Sequence, residues 1–182
     1  AIVGEGNGWA WDLKFLLSKL VFLVGIGACV WLMTSNRVAT IAVMSSAAFI
    51  GFFYFRFNHP VYFNLTYAPW IVYGYLNWVR AIDLRQVFKI KNSWIGSVAI
   101  VFVASMFSLF GGTPKEGSIL FGALHFSGLI GVTIASRKSR VLSRNVIVLF
   151  VLWIALALAT APHWLIFLDA LSKSSTVYDN SN

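Results

Sequence analysis

The sequence predicts an all-α integral membrane protein, a bundle of about six transmembrane helices with both termini on the outer, periplasmic side. Three observations lead there. The 182 residues are 59% hydrophobic and 11% charged, with mean hydropathy +0.78, whereas a soluble domain is about 45–50% apolar and about 25% charged. The apolar residues gather into runs of membrane-spanning length. The basic residues fall mostly in the short connections between those runs.

A crossing needs about 17–25 predominantly apolar residues, and the candidate spans are 15–33, 38–55, 61–79, 94–110, 118–135 and 146–168. The first carries Lys19 near its start, where a long side chain can snorkel to the interface. The third, "VYFNLTYAPWIVYGYLNWV", is rich in aromatics and holds Asn64 and Pro69. Between the third and fourth, "RAIDLRQVFKIKNS" mixes Ile82, Leu84, Val87, Phe88 and Ile90 with basic residues. It reads either as an amphipathic piece on the inner membrane surface or as a solvated loop. "FGGTPKEGS" reads as an external turn broken by Gly111, Gly112 and Pro114, and the polar tail "SKSSTVYDNSN" as a frayed end. The whole chain forms one transmembrane domain, without internal repeats.

Threading the runs alternately puts Arg37, Arg80, Arg85, Lys89, Lys91, Arg137, Lys138, Arg140 and Arg144 on one side. Lys14, Lys19, Arg56, Lys115 and Lys173 fall on the other. The positive-inside rule makes the first side cytoplasmic, as in a bacterial inner membrane. The chain begins at Ala1 without methionine, which fits either a trimmed N-terminus or a removed leader, and a secretory leader would likewise leave the N-terminus outside.

The net charge of +8 does not indicate nucleic acid, because no basic pattern with interleaved aromatics lies outside the apolar segments. The expected surroundings are the lipid bilayer and other membrane subunits. The single cysteine, Cys29, has no intramolecular disulfide partner and no metal-ligand spacing around it, and reads as a small buried hydrophobe. "NLT" at Asn64 matches a glycosylation acceptor, but its place in a span excludes that use.

Ionisable groups within a membrane are functional candidates because they are costly there. His125 lies about seven residues into the fifth span, roughly 10 Å deep at 1.5 Å per residue. His163 follows Pro162 near the outer end of the sixth, with Asp169 at the exit, and His59 lies in the outer connection before the third. Three uses are open. His125 and His163 at similar depth could hold a haem, or belong to a quinone-binding electron-transfer site. His59 and His163 with Asp169 or Glu116 could bind copper or zinc, although no close HxH or HxxxH spacing supports it. His125 could be a catalytic general base, which needs a positioned partner. Every Asp and Glu falls at an end or in a connection, which argues against a carboxylate-driven pump. A neutral histidine hydrogen-bonded to a neighbouring helix is the structural alternative.

Gly122, Ser127, Gly128 and Gly131 around His125 favour close helix packing. In the third span Tyr62, Phe63, Tyr67, Trp70, Tyr73, Tyr75 and Trp78 run the length of the helix. Beyond the interfacial belts, they suit either packing or a flat ring ligand.

The stretch "GSILFGALHFSGLIGVTIASRKSR", with the basic loop and apolar helix before it, resembles polytopic membrane acyltransferases related to heparan-α-glucosaminide N-acetyltransferase. Phe121, Gly122, Leu124, His125 and Gly128 match the Phe-Gly-x-Leu-His-x-x-Gly segment of their bacterial relatives. The likeness covers about residues 80–140 and implies acyl transfer with His125 near the reacting group. Those enzymes have more spans and an early Asp-x-x-Arg-Gly segment followed by a histidine, which this sequence lacks.

With few embedded polar groups, short connections and abundant aromatic and small-residue surfaces, the function expected first is that of a non-catalytic accessory subunit of a larger membrane assembly. A haem- or quinone-binding electron-transfer subunit and an acyltransferase-like enzyme are the alternatives.

Overall fold

The structure, a computed structural model, describes residues 8–50, 61–88, 93–138 and 141–173. These form α1 (Gly8–Thr34), α2 (Arg37–Ala47), α3 (Val61–Thr66), α4 (Ala68–Phe88), α5 (Ser93–Gly111), α6 (Pro114–Lys138) and α7 (Leu142–Lys173). Four of them, α1, α5, α6 and α7, are long and apolar enough to cross a bilayer. The protein is therefore a helical membrane protein.

The helices outrun the apolar runs that announce them, because a helix continues into its polar flanks wherever the backbone bonds can still form. The second predicted span is the opposite case. Its helix ends at Ala47 after 11 residues, and the chain turns through Ala48 and Phe49; residues 51–55 of that span, and His59, lie outside the described residues. Asn36 starts this helix by accepting from the Val38 and Ala39 amides through its side chain, the usual N-cap arrangement. Ser35, at φ 52°, makes the left-handed step that separates α1 from α2.

The third predicted span is two helices. Pro69 has no amide proton to give a carbonyl four residues back, so the helix breaks at Tyr67 and restarts at Ala68. The restarted helix then runs on to Phe88, so Arg80 to Phe88 are the last turns of α4 and not a loop; residues 89–92 of the basic stretch lie outside the described residues. Ile82 explains why: with Ile71, Tyr75 and Trp78 it repeats at helical spacing and is buried in the core.

That core lies between α4, α5, α6 and α7. Trp78, Ile71, Val101, Val132, Leu149 and Leu156 are its fully buried members. Two aromatics of α4 pack into this core: Trp78 is 0% exposed, and both Tyr75 and Trp94 of α5 stack with it. A second, smaller cluster joins Phe22 of α1 to Tyr62 and Phe63 of α3.

α1 docks on α4 at a glycine. Gly25 faces Pro69 and Trp70 so closely that a Cβ there would lie 2.8 Å from Trp70 Nε1. The contact is fastened by two bonds to backbone carbonyls: Trp70 Nε1 donates to Val21 O at 2.9 Å, and the Cys29 thiol to Pro69 O at 3.2 Å. Cys29 is therefore a half-buried tether between helices. At the far end of the bundle, Arg144 of α7 lies 5.4 Å from the Trp94 ring of α5, a cation–π contact.

Candidate functional site

His125 is 2% exposed, at the meeting of α4, α5 and α6. Its Nδ1 lies 2.6 Å from Tyr75 Oη and its Nε2 2.9 Å from Ser105 Oγ. A neutral imidazole has one donor and one acceptor nitrogen, and both hydroxyls can play either part. One hydroxyl therefore donates to the bare nitrogen while the ring N–H donates to the other. Both nitrogens are satisfied, which is what an apolar interior requires.

The local sequence builds this arrangement. On α6, Gly128 lies three residues after His125, and its missing side chain makes the seat for the Tyr75 ring. A Cβ there would fall 2.5 Å from the ring carbons. Phe121, one turn before His125, covers the imidazole at 3.9 Å between ring centroids. Trp153 of α7 closes the fourth side, 6.5 Å from the histidine ring. Its indole N–H is buried without a hydrogen-bond partner among the described residues.

Two more bridges use the same face of α5. Ser97, Ser105 and Ser108 recur at helical spacing with Val101 and Ala104, and all five are buried. Asn77 Nδ2 donates to Ser97 Oγ at 2.9 Å, and Asn64 Nδ2 to Ser108 O at 2.6 Å. The Ser108 hydroxyl donates back to Asn64 O at 2.9 Å. Thus α3, α4 and α6 each fasten to one serine stripe. A further bridge, Asn145 Nδ2 to Ser136 Oγ at 2.8 Å, joins α7 to α6.

The structure separates the other predicted site residues. His163 makes a ring contact with Phe110 at 5.5 Å, while its Nε2 is buried without a hydrogen-bond partner among the described residues. No hydrogen bond or ring contact joins it to His125 among the described residues, and both His125 nitrogens are already engaged. In this arrangement His125 has no nitrogen free to ligate haem iron. Asp169 is exposed and paired with Lys173 at 2.8 Å on its own helix. It follows His163 by six positions, which puts the two on different faces of α7. No group of three or more metal-ligating side chains occurs among the described residues. Of the glycines around His125, Gly128 is packed and Gly131 meets Val79, whereas Gly122 has open space where a side chain would be.

His125 and Gly128 stand out in the sequence, whereas Tyr75 and Ser105, the partners of the histidine, do not. The serine periodicity of α5 was the available signal.

Beside the histidine a cleft of about 430 Å³ opens between α5, α6 and α7, bounded by Leu109, Phe121, Trp153 and Thr160. It reaches the aromatic cover of His125 without being lined by the imidazole itself. In comparison with known proteins, the chain matches no family model, no curated sequence and no solved structure.

Proposed function

We propose that the chain is a non-catalytic accessory subunit of a larger membrane protein assembly. It crosses a bacterial inner membrane about six times, with both termini periplasmic and the Lys/Arg-rich connections cytoplasmic. The observation that carries this reading is how the embedded polar side chains are used. Tyr75–His125–Ser105, Asn77–Ser97, Asn64–Ser108 and Asn145–Ser136 each tie one helix to another. Such bonds hold a bundle together, and they engage both ring nitrogens of His125.

A partner surface is available on α6. Gly122, Ala123 and Ser127 are exposed on its outer side, and small residues four apart let a second helix approach closely. Purification from native membranes in mild detergent tests the proposal. Other membrane proteins should co-purify in fixed proportion; a chain that runs alone as a monomer contradicts it.

One observation favours a second reading, acyl transfer. Ser105, His125 and Tyr75 stand in the order of nucleophile, base and orienting group at hydrogen-bonding distances. Here the Ser105 hydroxyl would attack the carbonyl of a thioester as its proton passes to His125 Nε2; the C–S bond would then break and the thiol leave with that proton, the acyl group remaining on Ser105 for an acceptor. Acyl transfer from a thioester donor by the wild type, lost in His125→Ala, would support it. The same activity retained in the variant would reject it.

A further inference from the structure

A groove runs along the outside of the bundle between α1 and α5, with α3 and the start of α4 beneath it. Its wider part, about 590 Å³, is lined by Leu13, Lys14, Leu17, Phe63, Phe107 and Phe110, among others. It continues into a second hollow of about 370 Å³ bounded by Trp70, Ala99, Ile100 and Val103. Val21, Tyr67 and Phe107 line both, so the two form one channel.

The channel is largely apolar, with Ser18 the polar residue in its wall, and at its mouth the Lys14 ammonium sits 4.2 Å from the Phe63 ring and 5.5 Å from the Trp11 ring. These cation–π contacts hold the charge over the opening. Among the described residues Lys14 forms no ion pair and no carboxylate lines the groove. Asp12, two residues earlier, points to another side of α1. From Trp9 to Val21 the groove follows α1 for about 18 Å at 1.5 Å per residue. That is close to the depth of one leaflet, half of a hydrocarbon core about 30 Å thick.

We propose that this groove is a binding site for an anionic phospholipid of the bilayer. Its phosphate pairs with Lys14, and one acyl chain lies along Leu17, Val21, Tyr67 and Phe107 toward Val103. The charge selects the headgroup, and the aromatic wall, in which Tyr67 stacks on Phe107 at 5.3 Å, gives the chain a rigid bed. This site does not depend on whether the chain has protein partners.

The test is native mass spectrometry of the full chain released from bilayers holding equal phosphatidylglycerol and phosphatidylcholine of matched acyl chains. The wild type should retain phosphatidylglycerol preferentially. Lys14→Gln should reduce that preference about fivefold, as expected for the loss of one surface cation, and Lys14→Arg should keep it. Val21→Trp, which fills the groove, should lower retention of both lipids. Lys19→Gln, which alters a cation outside the groove lining on the same helix, should leave the preference intact and thus controls for total charge. Equal retention of the two lipids by the wild type overturns the proposal. So does an unchanged preference in Lys14→Gln, or unchanged retention in Val21→Trp.

Discussion

The Tyr75 hydroxyl and the His125 Nδ1 lie 2.6 Å apart, across the seam where α4 meets α6 at Gly128. The glycine, the tyrosine and the histidine form one packing unit. The absent side chain of Gly128 lets the Tyr75 ring reach the histidine, and the hydroxyl then satisfies the ring nitrogen.

Gly128→Ala is the substitution to which this unit is most sensitive. The added methyl would meet the Tyr75 ring, which stacks on Trp78 and has no space to retreat. Overpacking of this kind costs about 1–3 kcal/mol, and should lower the detergent melting temperature. Gly122→Ala, into open space on the same helix, should leave the melting temperature unchanged.

Trp78 fills the core outright at 0% exposure. Trp78→Ala should cost about 3–5 kcal/mol through the cavity it leaves, read as loss of folded protein in a thermal stability assay. Trp31, by contrast, is 46% exposed near the C-terminal end of α1, and Trp31→Ala should change stability much less.

Docking of α1 can be read through Cys29. Its thiol donates to Pro69 O, beside the bond from Trp70 Nε1 to Val21 O. Trp70→Phe removes the second bond and should loosen α1, so that Cys29 reacts faster with a membrane-permeant maleimide. An unchanged rate would mean that the helix is held by other contacts.

Asp169→Asn should have almost no effect on stability. Its partner Lys173 is exposed, as is Asp169 itself, and such pairs contribute about 0–1 kcal/mol. The melting temperature of the variant should match that of the wild type within error.

The elements that could be read in advance were those whose signal is local. The apolar runs of α1, α5, α6 and α7 announce themselves because the bilayer imposes a minimum length on a crossing. The end of α4 did not, since Arg80 and Asp83 resemble a connection; only the spacing of Ile82 from Trp78 reveals that the helix goes on. His125 and Gly128 stood out because a titratable ring and a run of small residues are unusual in a span. Tyr75 and Ser105 did not, for two reasons. Hydroxyls are common in membrane helices, and which of them meet depends on how three helices rotate against one another. Likewise, nothing in the spacing of His125 and His163 announced that one would be enclosed by hydroxyls and the other turned to Phe110.

A double-mutant cycle between Tyr75→Phe and His125→Ala, followed by reversible unfolding in detergent, tests the structural role of His125 most directly. If the histidine is a helix tether, the two substitutions should not add. The Tyr75→Phe penalty should largely vanish once His125 is gone, with a coupling of about 0.6–1.7 kcal/mol, the range measured for hydrogen bonds between membrane helices. Strictly additive penalties would contradict that account, because they would mean that the 2.6 Å contact does not hold α4 to α6.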